Sequence, residues 1–189
     1  MIKINVIDTG IKNLYIIEPK VFNDSRGYFM ESFNEYEMEQ CGIKTKFVQD
    51  NESKSVKGVL RGLHFQTKKT QAKLVRVISG EVFDVAVDLR KGSPTYKKWH
   101  GVILSGQNKN QFYIPEGFAH GFLVLSEEAV LSYKCSDYYA PKYDKGIIWN
   151  DPEIGIQWPL NQIPTLLLSE KDKTLKSLKD QDLPFIYRG

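Results

Sequence analysis

Apolar and polar positions alternate along this chain in short runs, not with a helical period. Segments 3–7, 14–18, 46–49, 58–65, 73–79, 81–89, 99–104, 118–125 and 129–138 read as strands, and Gly, Pro, Asn or Ser separates most of them. Segment 81–89 is the clearest. Val82, Asp84, Ala86 and Asp88 share one face, while Phe83, Val85, Val87 and Leu89 share the other. The second face is wholly apolar and is expected to pack between sheets or at a subunit interface. The first carries two acids. In 129–138, Leu131, Tyr133 and Cys135 share a face, and Ser132 and Lys134 point away from it. Inward-facing polar groups cost free energy unless hydrogen-bonded. A barrel lined by Asp, His and Tyr therefore predicts a ligand cavity. Ser79-Gly80 reads as a tight hairpin turn. Residues 34–41 form the best helix, with Asn34 as cap and Gly42 as stop. Asp151-Pro152 and Pro159 interrupt a less regular tail, in which Ser169, three residues before Asp172, caps a short helix. The expectation is an all-β sandwich or barrel with short flanking helices, one domain over 1–189.

Composition narrows the class. A length of 189 residues suits one domain with a substantial core. The net charge is +3, with the positive charges interspersed among acids, so no nucleic-acid tail is indicated. The nearest basic patch, Lys68-Lys69 with Lys73 and Arg76, starts in what reads as a solvated loop. No apolar run approaches the roughly 20 residues of a membrane span. The N-terminal Met1–Asp8 has polar residues at every second or third position, unlike a secretory leader. Cys41 and Cys135 lie far apart with no CxxC spacing. The expectation is a reduced, cytoplasmic protein that engages neither membrane nor nucleic acid.

Two of the three histidines sit in the most glycine-punctuated segments, Gly58–Gln66 and Ile114–Phe122. Imidazole takes up a proton near neutrality, so the pair predicts a metal site or a proton-transfer site. Spacing decides between them. The same-face neighbours of His64 are Gly62 and Gln66, so it lacks the companion histidine and paired carboxylate that a transition-metal site needs. The third histidine, His100, is expected at the surface or rim. Proton transfer is the better reading.

The segment Pro115-Glu116-Gly117-Phe118-Ala119-His120 resembles the second half-motif of the cupin jelly roll, the double-stranded β-helix. Over roughly residues 14–178 the chain resembles the dTDP-4-dehydrorhamnose 3,5-epimerase family. The likeness runs through Phe22–Glu31, Phe47–Ser53, Val59–Gln66, Lys73–Arg76, Gly80–Arg90, 114–122, Tyr133-Lys134-Cys135 and Ser169–Asp172. It implies a jelly-roll homodimer with no metal and no dissociable cofactor, acting at C3 and C5 of a dTDP-linked 4-keto-6-deoxy sugar. One ketone acidifies the hydrogens on both carbons, so the reaction needs a base, an acid across the ring and a cation for the enolate. The resemblance assigns His64 as base, Asp172 as its orienting acid, Tyr133 as the acid on the opposite face and Lys73 as the enolate's partner. His120 would line the cavity, bonded to substrate or to Asp84. Arg26 and Arg61 would meet the diphosphate, Gln49 and Asn51 the base or sugar edges, and Glu31 the thymine N–H or a ribose hydroxyl. Phe22 and Tyr138 would stack on the base, with Asp144 and Lys171 as further contacts. In the family the N-terminal segment reaches into the partner, so Phe22, Arg26 and Glu31 would serve the neighbour's site. The other readings are an epimerase acting at one carbon or on another nucleotide-linked 4-keto sugar, and a non-catalytic sugar-nucleotide binding module.

Overall fold

The computed structural model describes residues 4–189. Residues 1–3, on which the first predicted strand and the N-terminal reading partly fall, lie outside the described residues. The strands are β1 Ile4–Asp8, β2 Tyr15–Pro19, β3 Val21–Asp24, β4 Gly27–Met30, β5 Gln49–Val56, β6 Leu60–Gln66 and β7 Lys73–Ser79. They continue as β8 Glu81–Asp88, β9 Trp99–Ser105, β10 Gln111–Ile114, β11 Phe118–Val124, β12 Glu128–Cys135 and β13 Asp144–Gly146. The sheet β1-β2-β10-β7-β12-β5 faces the sheet β13-β6-β11-β8-β9, both antiparallel, and β3 and β4 form a separate two-stranded hairpin. The chain passes repeatedly from one sheet to the other, the jelly-roll arrangement.

That crossing corrects one turn. Gly80 adopts φ +79, as a tight turn requires, but β7 and β8 do not pair with each other. The Ser79-Gly80 turn is a corner between sheets, not a hairpin. A Cβ at Gly80 would lie 2.1 Å from the Glu128 carbonyl oxygen, so the corner is packed against β12. The local residues specify a sharp turn; the strand each run joins is set by partners far away in sequence.

The two faces of β8 are both buried. Val82 and Ala86 enter the core between the sheets with Val75, Leu104, Phe112, Phe122 and Leu131. Val85, Val87 and Leu89 point outward and lie under the chain's own tail, against Ile154, Ile156, Trp158, Leu178, Leu183 and Phe185. The apolar face thus packs neither between sheets nor against another subunit. Burying each large tail side chain contributes about 1.5–3 kcal/mol, enough to hold an irregular segment in place.

The helices form where their caps are. Helix α1, Glu35–Gln40, begins with the Asn34 side chain accepting from the Glu37 N–H at 3.2 Å. Helix α2, Glu170–Lys173, begins with Ser169 Oγ accepting from the Asp172 N–H at 3.0 Å. This single turn places Asp172 and Lys171 beside the five-stranded sheet.

The predicted strand 46–49 is displaced. The strand there is Gln49–Val56, and β3, β4, β10 and β13 are additions to the predicted set. No helix among the described residues is long and apolar enough to cross a membrane.

Candidate active site

His64 and His120 are direct partners across β6 and β11. Glycine makes that approach possible. A Cβ on Gly62 would lie 2.6 Å from Gly121 Cα, and one on Gly121 would lie 2.7 Å from the Arg61 carbonyl oxygen. The glycines flanking both histidines are therefore required by backbone contact. The β6–β11 register shifts between His120 and Phe122, where these glycines meet.

Each histidine is tethered to a buried carboxylate. His64 Nε2 lies 2.6 Å from Asp172 Oδ1, and Asp172 is 2% exposed. Ser169 Oγ donates to the other carboxylate oxygen at 2.8 Å. Burial opposes ionisation of Asp172, but the hydrogen bonds from His64 and Ser169 and the charges of His64 and Lys171 outweigh it, and its pKa falls below 3.8. His64 Nδ1 has no hydrogen-bond partner among the described residues. A carboxylate on Nε2 leaves Nδ1 as the free, basic nitrogen. His120 Nε2 contacts both oxygens of the fully buried Asp84 at 2.8 and 3.0 Å, the expected bond, but His120 lies behind the cavity between the sheets and does not line it.

A cavity of about 390 Å³ opens between the sheets, lined by Gln49, Asn51, His64, Phe65, Gln66, Gln71, Lys73, Tyr133, Tyr139 and Asp144. Strand β12 contributes Tyr133, which pairs with Asn51 on β5 and Val75 on β7. Burial raises the Tyr133 pKa above 10.0, with Cys135 adding and Arg61 opposing, so the phenol is protonated at neutral pH. It has no hydrogen-bond partner among the described residues. Lys73 keeps part of its side chain open to the cavity. The dense protein around its ammonium lowers its pKa from 10.5, partly offset by Cys135, Asp84 and Asp144.

The other candidates fall into two groups. Gln49, Asn51 and Asp144 line the cavity. Asp144 Oδ2 accepts from Tyr139 OH at 2.9 Å and from Lys171 Nζ at 2.5 Å, which places Lys171 at the mouth. Arg61 is exposed and donates to Ser55 Oγ at 3.2 and 3.0 Å. Phe22 and Arg26 sit on the β3–β4 hairpin, away from this cavity, with the Arg26 side chain 88% exposed and paired to Asp24. Glu31 lies beyond that hairpin beside Asn34, also outside the cavity lining. Tyr138 is 58% exposed and does not line the cavity; its neighbour Tyr139 does. His100 is half-buried on β9, opposite Ala86, its ring against Phe112.

Sequence reasoning missed Gln66, Gln71, Phe65 and Tyr139. Gln66 was within reach, since it lies two positions after His64 on the same strand face. Tyr139 was not, because a Tyr-Tyr pair in a loop gives no period to choose by. Among the described residues no group of three or more His, Cys, Asp and Glu is placed to hold a metal ion.

A carboxylate-tethered imidazole, a protonated phenol and a desolvated ammonium around one polar cavity of a jelly roll can move protons next to a carbonyl, the chemistry of an isomerase. The comparisons with known proteins make this particular. The family model described as dTDP-4-dehydrorhamnose 3,5-epimerase matches residues 8–180. The dTDP-4-dehydrorhamnose 3,5-epimerase of Methanothermobacter thermautotrophicus is 58% identical over 180 residues, covering 95% of this chain and 97% of that one. The crystal structure of the Legionella pneumophila dTDP-6-deoxy-D-glucose-3,5-epimerase, in complex with dTDP-4-keto-L-rhamnose, superposes with a TM-score of 0.95 at 54% identity. It covers 98% of this chain and 100% of that one. A 3'-monoepimerase from Streptomyces bikiniensis, in complex with dTDP-quinovose, superposes with a TM-score of 0.83 at 33% identity, covering 89% and 85%. The chain belongs to the dTDP-4-dehydrorhamnose 3,5-epimerase family.

Proposed function

We propose that the chain epimerises dTDP-4-dehydro-6-deoxy-D-glucose at C3 and C5 to dTDP-4-dehydro-L-rhamnose, in dTDP-L-rhamnose biosynthesis. The observation that carries this reading is the placement of His64, Tyr133 and Lys73 around one cavity. His64 Nδ1 takes the proton from the carbon beside the ketone, and Asp172 stabilises the imidazolium that forms. The electron pair moves onto the carbonyl oxygen, where the Lys73 ammonium holds the enolate. Tyr133 gives its proton to the opposite face of the same carbon, inverting it. The tyrosinate and imidazolium then exchange protons with solvent through the cavity mouth, and the cycle repeats at the second carbon. His120, tied to Asp84, backs His64 across the β6–β11 pair. Arg61 and Lys171 meet the diphosphate, Gln49 and Asn51 offer amide donors to the nucleotide, and Asp144 holds Lys171 at the mouth.

The exposed β3–β4 hairpin, with Phe22, Arg26 and the following Glu31, completes the site of a second copy in a homodimer. Tyr138 stacks on the base at that shared edge. A cytoplasmic location fits two free cysteines and a nucleotide-sugar substrate. A second reading, inversion at one carbon only, has the likeness to the 3'-monoepimerase as its support.

The test of the base is His64→Ala. Turnover should vanish while dTDP binding, measured by calorimetry, remains. Retained turnover would remove His64 from the mechanism. Light scattering on the wild-type chain should give a dimer, and a fully active monomer would sink the shared site.

A further inference from the structure

Cys135 is 1% exposed on the inward face of β12 and does not line the cavity. It is nonetheless the last member of a hydrogen-bond chain that does. The Tyr139 main-chain N–H donates to Gln49 Oε1 at 2.9 Å. Gln49 Nε2 donates to Asn51 Oδ1 at 3.0 Å. Asn51 Nδ2 donates to Cys135 Sγ at 3.5 Å.

The direction of this chain is forced from one end. A main-chain N–H cannot accept, so the Gln49 oxygen must face Tyr139. The Gln49 nitrogen then faces Asn51, whose oxygen must turn to meet it. The Asn51 nitrogen is left beside Cys135, and reversing either amide would set donor against donor. Burial pushes the Cys135 thiol above its usual 9.0, although Lys73 and Asn51 oppose it, so the sulfur is a neutral, weak acceptor. The loop is pinned at its other side as well. Gln66 Oε1 accepts from the Ala140 N–H at 2.7 Å, so the Tyr139 donor is fixed in position.

Each amide nitrogen keeps one N–H uncommitted by this chain, and both residues line the cavity. We propose that Cys135 is a positioning residue, holding a Gln49–Asn51 amide pair whose polarity is set by the Tyr139 main-chain N–H, so that this wall turns N–H donors toward the ligand. The ligand groups it fits are acceptor oxygens, the phosphoryl oxygens of a nucleoside diphosphate. The proposal rests on the sugar-nucleotide reading above and goes beyond it in fixing which partner each amide offers.

The test is a double-mutant cycle with dTDP as the probe, read by calorimetry together with kcat and KM. Cys135→Ala should weaken dTDP binding about threefold to fivefold and raise KM by a similar factor, the loss on kcat being smaller. Cys135→Ser keeps an acceptor in place and should stay within about twofold of wild type. In an Asn51→Ala background, Cys135→Ala should add nothing, because the contact it serves is gone. Additive losses, or a loss confined to kcat with a shifted pH profile, would overturn the proposal and point to Lys73 instead. Wild-type protein that failed to bind dTDP would overturn the sugar-nucleotide reading itself, a result distinguishable from additivity in a binding-competent enzyme.

Discussion

Asp172→Asn isolates the interaction on which His64, the proposed base, depends. The substitution keeps volume and shape but removes the charge 2.6 Å from His64 Nε2 in a site that is 2% exposed. In the ground state the asparagine oxygen still accepts the imidazole N–H. The loss appears when the ring becomes imidazolium. A hydrogen bond to a charged group contributes about 1.5–3 kcal/mol against roughly 1 for a neutral one. Two unit charges about 4 Å apart, at an effective dielectric of about 20, attract by about 4 kcal/mol. Together these bracket the lost transition-state stabilisation at about 2–4 kcal/mol, or roughly 30-fold to 1,000-fold in kcat. The assay is initial-rate epimerisation followed by proton NMR, with dTDP affinity and melting temperature as controls for binding and folding. A variant whose kcat stays within about threefold of wild type would refute the role given to Asp172. The same residue sets an acid limb of stability. Its folded-state pKa lies below 3.8, so its contribution is complete above the unfolded value and is lost as pH falls through the folded one. Asp172→Asn should lack that loss.

Other variants probe the remaining parts. Tyr133→Phe should lower epimerisation by about 10²–10⁴. It should still exchange solvent deuterium into the substrate with retention, since His64 can remove and return a proton on one face; normal inversion would exclude Tyr133 as the acid. Lys73→Gln should cost about 10²–10³ in kcat, as expected for losing a group aimed at a developing oxyanion, and a change confined to KM would contradict that assignment. His100, whose pKa burial holds below 6.5, gives the opposite protonation case to a stabilised cation. The unfolded chain binds the proton first, so stability is full above about pH 6.5 and falls as pH drops toward the folded value. Denaturation of His100→Phe should show a flatter slope below about pH 6.5. An unchanged slope would mean that His100 contributes nothing to it.

The elements legible in the sequence are those whose side chains divide between a core and a second environment. Strand β8 is the example, with alternation clear enough to assign both faces, although not what covers them. Strand β5 shows the limit. Its sequence, Gln49–Val56, has a single apolar residue, because Gln49, Asn51 and Ser55 face a cavity or another strand through hydrogen bonds. Apolar Phe47-Val48 drew the predicted strand forward to 46–49. The β3–β4 hairpin was invisible for a related reason. Its strands cover no core of their own, leaving Phe22, Tyr28 and Phe29 exposed, so no alternation marks them. In the site, His64 stood out through its glycine-punctuated strand, whereas Lys73 and Tyr133 were readable only through the family resemblance, because Lys73 opens its strand like a solvated edge residue and Tyr133 shares a face with Leu131 and Cys135. The Asp172 contact needed the tail's path back to β6, which residues 108 positions apart cannot reveal locally.

The most direct measurement is proton NMR of wild-type enzyme with dTDP-4-dehydro-6-deoxy-D-glucose in deuterium oxide. Solvent deuterium should enter at both C3 and C5, and the product should carry the inverted configuration at both carbons. Exchange at a single carbon would reduce the protein to a one-site epimerase, and exchange at neither would contradict the proton-transfer account altogether.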